Sequence, residues 1–190
     1  MDEDRARWDA RYAVRREGPA ASAAAPDALA LLDEVTLARL PATGLALDIA
    51  CGTGAQSLWL AQRGMDVIAI DVSPIAIDLA NAAARVHGFG DRIDAHVHDL
   101  DTGLPPAASD MSMIVCQRFR GRDLYPHIVE ALRPGGLAII TVLSAVGLDG
   151  TPGEFHAPPG ELDAAFATAG VDVLASSETD GVASIIIQRR

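Results

Sequence analysis

Between residues 45 and 55 the chain passes from an apolar strand into a glycine turn and directly out into a helix: Leu45-Ala46-Leu47-Asp48-Ile49-Ala50-Cys51-Gly52-Thr53-Gly54-Ala55. That succession builds a nucleotide site, because small residues let a ligand touch a backbone whose free N–H groups point at it. Asp48 lies inside the loop signature, and no third glycine follows at the spacing of G-x-G-x-x-G. A pyrophosphate wants the helix N-terminus free of competing negative charge. A ligand carrying an ammonium group tolerates a carboxylate there.

A second apolar run, Met65-Asp66-Val67-Ile68-Ala69-Ile70-Asp71, ends in an acid. An acid at the end of the second strand, about 20 residues past the glycine turn, is placed for ribose hydroxyls, and Asp71 fits. Asp99 follows the alternating run Ile93-Asp94-Ala95-His96-Val97-His98. It stands at the carboxyl end of a third strand, where open α/β sheets bind ligands. An ammonium-tolerant loop followed by a ribose acid favours S-adenosylmethionine (SAM) over a dinucleotide.

Composition narrows the partners. A chain of 190 residues with 49% hydrophobic content suits one globular domain with a proper core. A net charge of −11 disfavours nucleic acid. All fifteen basic residues are arginine, so no lysine exists for a Schiff base, for anchoring pyridoxal phosphate or for a Walker-A loop. Cys51 and Cys116 fall inside apolar runs and read as buried thiols of a reduced, cytoplasmic protein. No Cys/His cluster suggests a metal. The start, Met1-Asp2-Glu3-Asp4-Arg5, has no apolar stretch behind it, so no signal peptide is expected. No run approaches the roughly 18 apolar residues of a membrane span.

A short amphipathic helix is expected over 1–17, with Trp8 and Tyr12 at helical spacing. Residues 18–26 read as a loop or flexible hinge. Asp27 is placed to cap a helix over 28–40 that presents Leu29, Leu32, Val35 and Leu40. Strands are expected near 45–49, 66–70, 93–97, 111–116, 137–143, 171–176 and 182–188. Helices are expected near 55–63, 74–86, 122–132 and 160–169. Ser73-Pro74 is a good helix start, and Arg133-Pro134-Gly135-Gly136 reads as a tight turn before a strand. Strands alternating with helices imply a parallel sheet, and Asp180-Gly181 closes a final antiparallel hairpin. The apolar triplet Ile185-Ile186-Ile187 reads as interior to the sheet. One domain is expected over 1–190, with a helical N-terminal cap over 1–44 and the core over 45–190.

Asp48-Ile49-Ala50-Cys51-Gly52-Thr53-Gly54, Asp71, Asp99 and Arg133-Pro134-Gly135-Gly136 together resemble the class I SAM-dependent methyltransferases over roughly residues 40–190. The resemblance implies a Rossmann-like α/β fold: seven strands in the order 3-2-1-4-5-7-6, strand 7 antiparallel, helices on both faces. It implies that Asp48, Ala50, Cys51, Gly52 and Gly54 line the methionine part of SAM. Asp71, with Val72 beside it, holds the ribose. Asp99 and the Leu100 amide face adenine, and Cys116 and Gln117 sit beside the sulfonium. Ala50 stands where the family often has glycine. Within the class the chain looks like the small tellurite-resistance and thiopurine-type enzymes. Trp8-Asp9-Ala10-Arg11-Tyr12, the Ala-Cys-Gly loop and the segment from Gln117 to Pro126 carry that likeness, although Gly121 stands where relatives carry a His.

Methyl transfer is an in-line displacement, so alignment matters most, and a soft nucleophile needs no strong base. No residue presents itself as that base, and the catalytic residues stay unassigned. The expected partner is a small-molecule methyl acceptor, with no nucleic acid or membrane; the oligomeric state stays open. Trp8 and Tyr12 are candidates for a lid touching cofactor and substrate, or for simple packing. Arg118, Arg120 and Arg122 are candidates for an anionic substrate group, or for solvated or Asp123-paired side chains. His96, His98 and His127 read as ordinary strand and surface residues, and His156 as a loop residue that can face substrate. A SAM-binding protein without catalysis is the rival from another class, and a nucleotide-dependent dehydrogenase is the second.

Overall fold

The structure, a computed structural model, describes residues 2–14, 18, 20–167 and 170–190. Seven strands form one sheet: β1 (Leu45–Ile49), β2 (Asp66–Asp71), β3 (Ile93–Val97), β4 (Met111–Gln117), β5 (Leu132–Leu143), β6 (Val171–Thr179) and β7 (Val182–Arg189). Their order is β3-β2-β1-β4-β5-β7-β6. Strands β1 to β5 pair in parallel, and β7 runs antiparallel between β5 and β6. This is the Rossmann-like order that the resemblance implies. Asp180 and Gly181 both take positive φ, 51° and 76°, and a two-residue turn of that kind joins only antiparallel neighbours.

Strands covered on both faces read as continuous apolar runs, and β4 is buried from Met111 to Cys116. The triplet in β7 is interior, as its pattern requires: Ile185 and Ile187 face one core and Ile186 the other. Helices α3 (Ala55–Gln62) and α4 (Pro74–Val86) cover one face of the sheet; α5 (Tyr125–Ala131) and α6 (Glu161–Phe166) cover the other. Ser73 caps α4, its hydroxyl accepting from the Ala76 N–H at 3.2 Å, with Pro74 in the first turn.

The N-terminal third departs from expectation. The helix expected over 28–40 is two pieces, a 3-10 turn at Asp27–Leu31 and the short α2 (Glu34–Ala38). Asp33, not Asp27, is the cap: its Oδ1 accepts from the Thr36 N–H at 2.7 Å. A strong capping residue inside a periodic stretch starts a new helix there. The break lets Leu29 and Leu32 reach the core while Val35 turns outward, 60% exposed. The 3-10 turn packs on β5, β6 and β7, closing the part of the sheet face beyond α3 and α4. Residues 20–25 are not a hinge. Ala24 N–H donates to the Ala55 carbonyl at 3.0 Å, and Ala21 and Ala23 pack on the core.

Smaller corrections follow the same physics. The expected turn at 133–136 is an excursion within β5: Leu132 pairs with Met111 and Leu137 with Met113. A Cβ at Gly136 would lie 2.6 Å from the Met111 carbonyl oxygen, so the excursion needs glycine there. The helix expected over 122–132 is a 3-10 turn, Arg122–Leu124, followed by α5. The first helix, α1, spans Asp2–Ala13; Met1 and residues 15–17 of its expected range lie outside the described residues, as do 168–169 beyond α6.

Candidate active site

The loop after β1 is built from left-handed backbone. Ala50, Gly52 and Gly54 have φ of 54°, 55° and 86°. The two glycines adopt this at little cost; Ala50 does not. A Cβ at Gly54 would lie 3.1 Å from that of Ala80, so this glycine also sets how closely the loop approaches α4. Cys51 N–H donates to the Ile70 carbonyl at 2.9 Å, tying the loop to β2.

Asp71 braces that loop. Its Oδ2 accepts the Gly52 N–H and its Oδ1 the Ser73 N–H, both at 2.9 Å. Burial pushes its carboxyl above the ordinary carboxylate range and the two N–H groups oppose the rise; nearby Asp9 adds to it. Asp48 sits underneath the loop, 1% exposed, and its Oδ2 accepts the Ser57 hydroxyl at 2.5 Å. It joins β1 to the first turn of α3. Burial pushes its carboxyl up to about 7 against the Ser57 hydrogen bonds, with the charge of Asp71 adding to the rise.

The other positions read from sequence gather along the same sheet edge. His98 N–H donates to the Asp71 carbonyl at 2.9 Å, holding the ends of β2 and β3 together. Val72 and Asp99 are half-buried there and Leu100 is buried. Asp99 Oδ1 accepts the Asp101 N–H at 3.0 Å, which makes it the cap of the turn Leu100–Thr102. On the other side Ile49 pairs with Cys116, so the residues beyond Gln117 emerge beside the glycine loop. Gln117 Nε2 donates to the Thr141 hydroxyl at 3.3 Å. Cys51 and Cys116 are free and buried. Burial pushes both thiols up, Cys116 to about 12, which leaves them poor nucleophiles.

Helix α1 crosses over this edge. The Trp8 and Tyr12 rings stack with centroids 5.9 Å apart. The Tyr12 hydroxyl stands over Gly52, where it would meet a Cβ at 2.9 Å. Asp9 Oδ1 accepts the Ser73 hydroxyl at 2.5 Å. Two residues earlier, Arg7 lies 4.5 Å over the Phe155 ring and 3.5 Å from the Glu154 carboxylate. The helix therefore touches the ends of β1 and β2 and also the segment after β5.

The arginines after β4 divide. Arg120 pairs with Glu161 through Nε at 2.8 Å and Nη2 at 2.5 Å, and the Tyr125 hydroxyl donates to the same carboxylate at 3.2 Å. Arg120 first, then Tyr125, holds the Glu161 carboxyl below its usual range; burial and that carboxylate push the Tyr125 phenol up. Arg122 stands 3.7 Å from Glu161. The partner for this cluster is thus Glu161 rather than Asp123, and the sequence alone did not disclose it. A Cβ at Gly121 would lie 2.8 Å from the Phe119 ring, so a larger side chain at 121 would require Phe119 to move. His156 Nδ1 lies 3.0 Å from the Gly153 N and 3.3 Å from the Gly153 carbonyl oxygen. His127 lies exposed beside Glu130 and His98 contacts the Gly103 carbonyl. Among the described residues no cluster of His, Cys, Asp and Glu suits a metal.

Sequence reading missed Ser57, Arg7 and Phe155; it took Ser73 only as the start of α4 and Asp9 only as part of the Trp8–Tyr12 motif, without their contact.

A glycine loop braced by the acid of the next strand, at the carboxyl edge of this sheet, defines a nucleotide-binding α/β protein. A family model described as a methyltransferase domain matches residues 46–136, from β1 to the excursion in β5. Over that segment the chain is similar to the methyltransferase domains of the class I SAM-dependent enzymes. It is 31% identical over 100 residues to a probable cobalt-precorrin-6B C(15)-methyltransferase (decarboxylating) of Methanothermobacter thermautotrophicus, covering 52% of each chain. It is 51% identical over 69 residues to the magnesium-protoporphyrin O-methyltransferase of Rhodobacter capsulatus, covering 35% of this chain and 30% of that one. The chain spans about half or less of the length of the curated relatives it matches. Among solved structures, a geranyl diphosphate methyltransferase in complex with GPP and sinefungin has a TM-score of 0.69 at 17% identity, covering 99% of this chain and 98% of that one. TehB from Haemophilus influenzae has a TM-score of 0.65 at 20% identity, covering 82% and 61%. These two likenesses speak to the fold.

Proposed function

We propose that this protein is a SAM-dependent methyltransferase that moves the SAM methyl group to a small-molecule acceptor by in-line displacement. The observation that carries the reading is the bracing of Gly52 by Asp71, which sets a ribose acid beside a methionine-binding loop. SAM supplies the activated methyl group on a positive sulfur. The chain's own residues bind and orient it. Asp71 and Val72 hold the ribose edge, and Asp99 with Leu100 the adenine edge. Ala50, Cys51, Gly52 and Gly54 offer backbone to the methionine part, with the Asp48 charge beneath them favouring its ammonium. Cys116 and Gln117 border the sulfonium corner.

Helix α1 is the cap of this single domain. Held at Ser73 and at the 154–155 segment, it keeps water from the reacting atoms. Residues 20–40 belong instead to the sheet's packing, so the cap is α1 rather than the whole of 1–44. Relatives named for tetrapyrrole and ubiquinone methylation support a small acceptor. One relative is named as an RNA methyltransferase, but a net charge of −11 opposes an RNA substrate here. Among the described residues no helix is long and apolar enough to cross a membrane, and a cytoplasmic location suits two free thiols.

Calorimetric titration with SAM and its demethylated product, S-adenosylhomocysteine (SAH), tests the reading on wild type and Asp71→Ala. Micromolar binding that the variant loses at least 100-fold supports it. No binding to folded wild type overturns it. Labelled SAM offered with thiol, selenol and phenol acceptors then separates an enzyme from a SAM-binding protein without catalysis.

A further inference from the structure

Four non-glycine residues among those described have left-handed backbone: Ala50, Asp110, Arg118 and Asp180. Aspartate tolerates that conformation in turns through its short polar side chain. The remaining two, Ala50 and Arg118, stand at the carboxyl ends of the adjacent strands β1 and β4. Strained backbone of this kind persists where function holds it. Ala50 belongs to the cofactor loop. Arg118, at φ 57°, is not accounted for by that loop.

Its backbone role does not need its side chain. Arg118 N–H donates to the Thr141 carbonyl at 2.7 Å, a bond glycine makes equally well and without the conformational cost. Packing does not explain it either, since the side chain is exposed. Among the described residues its guanidinium has no ion pair or hydrogen bond, in contrast to Arg120, which is committed to Glu161. Ile49 pairs with Cys116, so Arg118 emerges about one strand spacing from the glycine loop. The contacts of α1 fall to either side of that strand end.

Resting on the SAM reading of the loop, we propose that Arg118 recognises the methyl acceptor and that the acceptor carries an oxyanion, a carboxylate or a phosphate. The guanidinium takes such a group through two parallel N–H···O bonds and so fixes the acceptor's orientation toward the methyl group.

The test is calorimetry on the SAH-loaded protein with benzoate, phenyl phosphate and the neutral benzyl alcohol as probes. Wild type, Arg118→Gly and Arg118→Lys are compared. The expected result is that wild type binds an anionic probe in preference to the alcohol. Arg118→Gly weakens the anion at least tenfold, and Arg118→Lys recovers part of that, having the charge without the fork. SAH affinity stays within twofold in all three, and the Gly variant unfolds at the same or a higher temperature than wild type. Benzoate against phenyl phosphate tells carboxylate from phosphate. Equal binding of charged and neutral probes, no binding of either anion, or full anion affinity in the Gly variant overturns the proposal. Failure of SAH itself to bind is a separate outcome that defeats the methyltransferase reading, and the anion titrations on the unloaded protein still decide Arg118.

Discussion

The Ser73 hydroxyl donates to the Asp9 carboxylate at 2.5 Å while accepting the Ala76 N–H at 3.2 Å. One residue thus caps the helix that follows Asp71 and anchors the helix that crosses the site. With α1 so placed, Asp71 is 5% exposed, and access to it is tied to the position of α1.

Asp9→Ala removes the acceptor for that hydroxyl. We expect the arginyl bonds of α1 to be cut several-fold faster by trypsin, and SAH to dissociate several-fold faster in stopped-flow measurements. Thermal stability falls by about 1 kcal/mol, the worth of one hydrogen bond. Unchanged proteolysis would show that α1 is held elsewhere.

Gly52→Ala places a methyl group 2.9 Å from the Tyr12 hydroxyl, in a residue with φ of 55°. Part of the cost, about 1 kcal/mol, is left-handed strain and stays whatever faces it. The rest is the clash, and Tyr12→Phe relieves it. A double-mutant cycle in urea should therefore show the pair costing less than the sum of the single changes. Strict additivity contradicts the contact.

Asp48 sets a pH dependence of unusual sign. The unfolded chain releases this proton near 3.8 and the folded chain near 7, so the folded state holds the extra proton between those values. Its contribution to stability is full below the lower value and lost as pH rises through the upper one. Asp48→Asn should unfold at a higher temperature than wild type at pH 8, by up to about 4 kcal/mol, with the advantage shrinking toward pH 4. SAH affinity should rise from pH 6 to pH 8 in wild type and stay flat in the variant, because the cofactor ammonium favours the ionised form.

Arg120→Ala strands the Glu161 carboxylate, whose side chain is 6% exposed. The expected cost is about 2 kcal/mol at pH 7 by urea denaturation. Glu161 is held below its ordinary value of 4.5, so the pair's contribution is present above that value and fades as pH falls through the carboxyl range. The difference between variant and wild type should therefore narrow at pH 3. SAH affinity should change by less than about twofold, since the Arg120–Glu161–Tyr125 cluster makes no hydrogen bond to the glycine loop.

Periodicity located all seven strands because β1, β2, β4, β5 and β7 are apolar on both faces or nearly so, and burial of that kind is written residue by residue. The glycine loop and the strand-end acid were legible for the same local reason. Helix boundaries were less so. The sequence reading took Asp27 as the cap of one helix; the packing of Leu29 and Leu32 on the core breaks that stretch and makes Asp33 the cap. The excursion at 133–136 looked like a turn because its glycines are local, while the pairing that makes it part of β5 depends on Met111 and Met113.

The site divides along the same line. The positions of the strands, the loop at 50–54 and the placement of Asp71 and Asp99 at strand ends were determined by the sequence alone, since each depends on a few neighbouring residues and the period of their burial; the order of the strands was implied only by the family resemblance. That Asp48 lies beneath the loop on Ser57, that Asp9 reaches Ser73, and that Glu161 takes Arg120 and leaves Arg118 uncommitted were decided only by the tertiary structure. These pairs join residues 9, 64 and 41 positions apart. Hydrogen bonds and ion pairs at such separations have no period to read: they exist only once the sheet has brought its strand ends to one edge.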